Sequence, residues 1–382
     1  MHSDIMNYPP MISLIDILKE LGEDIVYIGA YSDTPTTRRF KEIGVEFVNI
    51  VRRKSDSKLS ILKAMFDYRR KLASFLNSRN LSKDDILWYV FCDSAPAVYD
   101  IIAKHRYIVH YYEFDRLQFN WQFRILYPSF NHEKFAKGAL TTIQCEYNRA
   151  QIFRGLLGLN CVPDIIPNKP YIKEGTMNVS TMPSDINILL DDLKDRTVGR
   201  KIVLYQGIFD SRERKLEEFC EAINMMPEDY MLIAMGKGDK SYEMLKNKYQ
   251  SNRILFIPFI IPPYHLHVTK MSSVGVLSYS PVNKTINGVI NPLYCAPNKI
   301  FEYTRYGKPM ISNDIPGLKN IFDCYHCGEV VEYPLNPSKI VEILLQIFNS
   351  YEKYSEGAFN YYNSVDIKKS ISNIIKKIEY NG

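Results

Sequence analysis

Strand-length apolar runs alternate along the whole chain with stretches whose apolar residues recur every three or four positions, and this alternation leaves few folds open. The candidate strands fall at 24–28, 45–50, 86–91, 107–112, 141–145 and 162–166, and again at 201–206, 231–235, 254–257, 274–279, 310–313 and 329–332. Helical patterns lie between them, in the first half around 11–21, 56–78, 95–105, 117–138 and 148–158. Strands separated by helices pair in parallel, and a parallel sheet needs helices on both faces, so the pattern predicts an α/β protein of doubly wound sheets. A chain of 382 residues is too long for one ordinary core and fits two. After Pro167-Asn168-Lys169-Pro170 the sequence turns polar, rich in Ser, Thr, Asn and Asp, up to Arg200. We therefore expect a first domain over 1–168, a hinge over 169–200 and a second domain over 201–351.

Composition narrows the class. Hydrophobic residues make up 46% and charged residues 24%, the balance of a globular protein, and no run of about 18 apolar residues could span a bilayer. No secretory signal is visible, and the placement expected is cytoplasmic. Seven cysteines, at 92, 145, 161, 220, 295, 324 and 327, are an odd and scattered set that reads as reduced thiols. Cys324 and Cys327 form one CxxC, and without a second pair it argues weakly for zinc or redox chemistry.

The net charge of +5 is unevenly placed: residues 51–83 carry ten Lys or Arg against Asp56 and Asp67. The same segment reads as an amphipathic helix, with Leu62, Met65, Phe66, Leu72, Phe75 and Leu76 at helical spacing. It is either the solvated face of a core helix or a peripheral contact for anionic lipid headgroups or a lipid-linked acceptor. Nucleic acid is disfavoured, because no recognisable binding motif accompanies the basic run.

Residues 291–317 spell a turn, a short helix and a buried strand. Pro297 suits the first helical position, and Gly307 with Pro309 stops the helix. The N–H groups of Ala296, Asn298 and Lys299 would then face whatever sits above the helix start, a place that favours an anion. Glu302 lies at i+3 from Lys299 and i+4 from Asn298. On that shared face a carboxylate can hold a sugar diol while the lysine meets a phosphate, or the two can form an ordinary helix-face ion pair. A second cluster follows the strand at 201–206: Gly207-Ile208-Phe209-Asp210-Ser211-Arg212-Glu213-Arg214-Lys215. A glycine at the carboxyl end of a strand lets a ligand approach backbone, and open α/β sheets bind ligands at that edge. Gly236 closes the next strand, and Tyr279 ends a later one.

The segment Pro297-Asn298-Lys299, Phe301-Glu302-Tyr303, Gly307-x-Pro309, Asp314, Pro316-Gly317 resembles the carboxyl-terminal signature of GT-B retaining glycosyltransferases of the family-four type, including those of bacterial surface polysaccharide synthesis. The resemblance implies two Rossmann-like, doubly wound domains facing a central cleft, with a terminal helix over about 352–382 bracing the first. It also implies transfer of a hexosyl group from a nucleotide diphosphate sugar, a UDP-sugar favoured, to a glycan or lipid-linked acceptor with retention of configuration. In that scheme Arg214 and Lys299 stabilise the leaving diphosphate, with Arg212 and Lys215 as helpers. Gly207, Arg212, Gly236, Tyr279, Ala296, Asn298 and Glu302 hold the donor. Many members carry two glutamates separated by seven residues, whereas the position eight before Glu302 is Tyr294. No Asp-x-Asp pair stands in a plausible place, so charge neutralisation by cations and amides is expected in place of a metal, and no cofactor.

The first domain is expected to supply acceptor contacts and any acid or base. His110 and Glu113 are its candidates, with Asp93, Tyr112, Asp115, Arg116 and Trp121 around them, and a buried, hydrogen-bonded His110 is the alternative to a functional one. Met6-Asn7-Tyr8-Pro9-Pro10 reads as the loop that follows the family's opening strand. That strand either lies upstream of Met1 or is lacking from the sheet, which would leave its neighbours unpaired. Two further functions fit the same architecture: a nucleotide-sugar epimerase, and a catalytically silent partner subunit.

Overall fold

In the computed structural model the residues described are 3–53, 57–114, 127, 129–171, 182–210, 212–238, 240–282 and 284–381. The candidates Asp115, Arg116 and Trp121 lie outside them, as does most of the helix expected over 117–138, of which His132–Lys137 is described. The chain divides into two compact units, one of Met1–Tyr171 with Asp366–Gly382 and the other of Ile172–Val365.

Strands of the first unit are β1 (Val26–Ile28), β2 (Glu46–Val48), β3 (Leu87–Val90), β4 (Tyr107–Tyr111), β5 (Thr141–Gln144) and β6 (Asp164–Ile165). All pairs are parallel, but β1 and β2 form a two-stranded sheet of their own, while β3, β4, β5 and β6 form a second in that order. Strand β4 is buried along its whole length, paired along one edge with β3 and along the other with β5. The helix Pro9–Glu20 buries Leu14, Ile15 and Ile17. The terminal helix Ile367–Asn381 packs against it through a stripe of Ile367, Ile371, Ile374 and Ile378 at i, i+4, i+7 and i+11. Ion pairs from Lys368 to Glu20 (2.9 Å) and from Lys377 to Asp164 (2.8 Å) flank that stripe.

The second unit is built on one six-stranded sheet of β7 (Lys201–Phe209), β8 (Tyr230–Gly238), β9 (Ile254–Pro258), β10 (Val274–Leu277), β11 (Met310–Asn313) and β12 (Gly328–Val331). Its order is β12-β11-β10-β7-β8-β9, every pair parallel. The order reverses at β7, so the crevice for a ligand falls at the carboxyl ends of β7 and β10. Strands β7 and β8 run past the lengths expected, staying paired through Gly207↔Gly236 to Phe209↔Gly238.

Two expectations about chain organisation meet a different structure. Within the stretch 169–200, Ser184–Thr197 is an α-helix whose Ile186, Leu190 and Leu193 enter the core of the second unit. Their i, i+4, i+7 spacing overrides the polar composition that suggested a hinge. Helix Tyr351–Ser364 stays in the second unit, where Tyr361 stacks on Phe301 with ring centroids 5.5 Å apart. A Cβ on Gly357 would stand 2.2 Å from the Tyr325 carbonyl oxygen, so that helix sits too close for any other residue there. No disulfide links the cysteines; Cys324 is exposed and Cys327 buried. Among the described residues no helix is long and apolar enough to cross a membrane.

Candidate functional site

The site grows from the switch point of the second sheet. The helix Asn298–Thr304 is held over β7 and β10 by Tyr303, whose hydroxyl donates to the Leu204 carbonyl at 2.9 Å. Its ring fits only because position 275 of β10 is glycine, where a Cβ would lie 2.4 Å from the ring. Pro297 is the residue before the helix rather than its first turn, with an extended backbone (φ −76°, ψ 142°) and no side-chain cap. The difference is one position, and Asn298 becomes the first helical residue. Ala296 and Asn298, both half-buried, stand at this helix start.

Lys299 points from the helix onto the end of β7. A Cβ on Gly207 would lie 2.3 Å from its Nζ, so the ammonium rests against bare backbone. It lies 5.1 Å from the Tyr205 ring centroid and 5.8 Å from that of Tyr279. Arg214 stacks on the same Tyr279 ring with Cζ 4.1 Å from the centroid, and donates to Glu213 at 2.6 Å. Tyr279 itself is clamped by Asn313, whose carboxamide accepts from the Tyr279 N–H at 2.9 Å and donates to its carbonyl at 2.6 Å. Burial, then the neighbouring Arg214 charge, pull the Lys299 ammonium down to about 7, with Glu302 pulling the other way. Two cations thus meet over one tyrosine, with Glu213 paired to Arg214 and Glu302 acting on Lys299 from a distance.

Glu302 does not pair with Lys299 as a helix neighbour would. Its Oε2 accepts from the Gln206 carboxamide at 2.6 Å, and its Oε1 is 3.1 Å from His265 Nε2. Gln206 is oriented in turn by Thr269, whose hydroxyl donates to Gln206 Oε1 at 2.9 Å. His265 Nδ1 is buried with no partner among the described residues, as are the hydroxyls of Ser278 and Ser280 beside Tyr279. Gln206 and His265 escaped the sequence reading. Gln206 was legible as the last inward position of β7, whereas nothing in the sequence marked His265 as a partner of Glu302.

Gly236 faces Gly207 across the β7–β8 pair, so close that a Cβ on it would lie 1.7 Å from the Gly207 carbonyl oxygen. Arg212 is turned away from the cluster. Its guanidinium is mostly exposed and pairs with Asp210 at 3.1 Å, holding that carboxyl down at about 2.

Of the first-unit candidates, His110 and Tyr112 pack together, while Glu113 and Asp93 each pair with an arginine. His110 on β4 is buried, accepts at Nδ1 from the Trp88 indole N–H at 3.2 Å, and packs against Tyr112 with centroids 4.5 Å apart. Burial pulls its proton affinity down to about 3. It lines a cavity of 10 Å³ together with Ser13, Tyr112 and Ile371. Glu113 faces solvent and accepts from the buried Arg149 at 3.2 Å. Asp93 pairs with Arg52 at 2.7 Å. Among the described residues no three His, Cys, Asp or Glu side chains gather as metal ligands would.

No family model matches the sequence, and no curated protein does. Solved structures do. The Anabaena HepE, crystallised with UDP and glucose, is similar over 99% of this chain and 98% of its own, with a TM-score of 0.67 at 13% identity. WaaG, a glycosyltransferase involved in lipopolysaccharide biosynthesis, is similar over 97% and 95%, with a TM-score of 0.61 at 11% identity. A UDP-N-acetylglucosamine 2-epimerase is similar over 98% and 93%, with a TM-score of 0.63 at 12% identity. The fold of this chain is therefore GT-B, two Rossmann-like units each carrying parallel sheet.

Proposed function

We propose that this chain is a glycosyltransferase that moves a hexosyl group from a nucleotide diphosphate sugar, a UDP-sugar in the first instance, to a glycan or lipid-linked acceptor in bacterial polysaccharide synthesis. The observation that carries the reading is the convergence of Lys299, Arg214 and the glycine-bared end of β7 at the switch point, with the carboxylate of Glu302 held one turn away. That combination suits a phosphate group on one side and a ribose diol on the other. Arg214 and Lys299 stabilise the charge that builds on the departing diphosphate, which makes a metal unnecessary. Glu302, steadied by Gln206 and His265, receives the ribose hydroxyls. Transfer proceeds with retention: the acceptor attacks the face from which the diphosphate leaves, and the leaving phosphate takes its proton. The resemblance of 291–317 to the family-four signature and the bound UDP of HepE support this scheme.

A peripheral contact with anionic lipid belongs to the same proposal. The helix Lys58–Ser78 buries Met65, Tyr68, Leu72 and Leu76 yet leaves Ile61, Leu62 and Phe66 exposed, Phe66 at 66%. Lys63 stands on the same helix, although Arg52, Arg69, Arg70 and Arg79 of the basic segment are tied to Asp93, Asp100, Asp67 and Glu46. Such a face suits the inner surface of the plasma membrane and a lipid-linked acceptor.

Thermal shift with a panel of nucleotide sugars tests the donor. A cognate sugar at about 100 times its dissociation constant stabilises by about 2.7 kcal/mol. Transfer and donor hydrolysis are then measured separately, with and without chelator. Isomerisation of the donor sugar without any acceptor would replace the reading with an epimerase, and binding without turnover would replace it with a silent subunit.

A further inference from the structure

Behind the helix Leu266–Met271, on the face away from Glu302, the second unit contains a cavity of about 370 Å³. His265 and Thr269, one turn apart, look toward Gln206 and Glu302. His267, Lys270 and Met271 line the cavity instead, facing Asn187, Leu190 and Lys194 of the helix Ser184–Thr197 and the side chain of Met182. The volume falls within the range of small-molecule pockets. Its chemistry is divided in two. Met182, Leu190 and Met271 make a floor of long, adaptable apolar side chains, the two methionines able to reshape around a chain. Lys194, Lys270 and His267 supply three basic groups at one rim. Asp191 answers Lys194 at 2.7 Å. The Nε2 of His267 is buried with no partner among the described residues. Burial first, then Lys194 and Lys270, lower the proton affinity of His267, and Lys270 also lowers that of the largely buried Lys308 nearby. The rim thus brings two lysines beside a buried histidine nitrogen that has no partner among the described residues, with Asp191 answering one of the lysines.

We propose that this cavity binds an anionic amphiphile: one alkyl chain on the methionine and leucine floor, with a phosphate head drawn to Lys194, Lys270 and His267. An apolar hollow alone would take a neutral chain equally well, and a basic rim alone would take free phosphate. The two together favour a molecule carrying both, and the site is separate from the cations at the end of β7.

Calorimetry on the full chain with octyl phosphate, below its micellar concentration, tests this against octanol and inorganic phosphate. Octyl phosphate is expected to bind at one equivalent, and the other two much more weakly. Lys194→Gln and Lys270→Gln, both surface changes, should each weaken it by about two- to fivefold, the effect of losing one partly exposed charge contact. Met271→Gln, at a partly buried position of the floor, should weaken it further while inorganic phosphate binding stays unchanged. The His267 ring signals, followed by NMR against pH, should titrate higher with octyl phosphate bound than without it. Vesicles of phosphatidylglycerol against phosphatidylcholine decide the source: enrichment on the anionic vesicles that both lysine variants reduce in step with their loss of octyl phosphate affinity marks a membrane lipid, and binding of octyl phosphate without that reduction marks a soluble one. Equal affinity for octanol, equal affinity for inorganic phosphate, or variants that bind like the parent would each overturn the proposal.

Discussion

His110 and Lys299 are both basic groups in partly or wholly dry surroundings, and in each case burial is the first cause of a lowered proton affinity, to about 3 for His110 and about 7 for Lys299. What surrounds them differs. His110 is enclosed by Trp88 and Tyr112 beside a cavity of 10 Å³, enough for about one water. Lys299 lies on the bare backbone of Gly207 next to a second cation, at the edge where a doubly wound sheet takes ligands. A perturbed base by itself reports only desolvation. A perturbed base that also meets like charge and open backbone reports an anion to come.

The comparison breaks most visibly if the backbone under Lys299 is disturbed. Gly236→Ala places a methyl on the Gly207 carbonyl, a contact with backbone that no side-chain motion relieves. The expected loss is more than about 4 kcal/mol, read from urea unfolding, and a variant that unfolds like the parent would mean that the β7–β8 end is not so tightly built. Next in size, Lys299→Ala and Arg214→Ala should each lower turnover by about 100-fold or more with less effect on donor affinity, as for groups that act on transition-state charge. Glu302→Ala should instead weaken UDP binding by about 1–3 kcal/mol in calorimetry. Equal affinity there would detach the ribose from this carboxylate.

A sharper test uses pH. The free protein holds Lys299 charged below about 7 and neutral above it. A diphosphate favours the charged form, so its binding takes up a proton when the pH exceeds 7. UDP affinity then changes little between about pH 6, where the terminal phosphate of UDP titrates, and pH 7, and falls by up to about tenfold per unit above it, until the lysine of the complex also titrates. The same titration in Lys299→Met should be flat through that window.

How far the sequence carried the two regions follows the same division. The alternation of strands and helices, the glycines at 207 and 236 and the 297–317 signature were all local patterns, and the structure puts Lys299, Arg214, Glu302, Gly207 and Tyr279 around one switch point. His265 was out of reach because its contact with Glu302 joins residues 37 positions apart, with a helix, a strand and a second helix between them, and no local pattern links the two. Helix Ser184–Thr197 was hidden by composition: Asp, Asn and Ser dominate its surface, and only Ile186, Leu190 and Leu193 betray a core face. In the first unit the apolar pattern located β4, but spacing could not say what His110 would face, since a strand buried at every position shows no alternation to mark a wet side.

The smallest effect is expected at His110, and it decides whether the comparison holds. Its folded proton affinity lies below that of an unfolded histidine, so the unfolded chain takes up the extra proton and stability drains away as pH falls from about 6.5 toward 3. His110→Gln keeps an acceptor for the Trp88 indole but cannot charge. It should flatten the acid limb of the stability curve measured by circular dichroism, at a cost near neutrality of about 1 kcal/mol or less. Its turnover should stay within about twofold of the parent, because the ring is buried and its described contacts are with Trp88 and Tyr112. A loss of turnover comparable with that of Arg214→Ala would show that a base enclosed by tryptophan and tyrosine can still act, and enclosure would no longer separate the two regions.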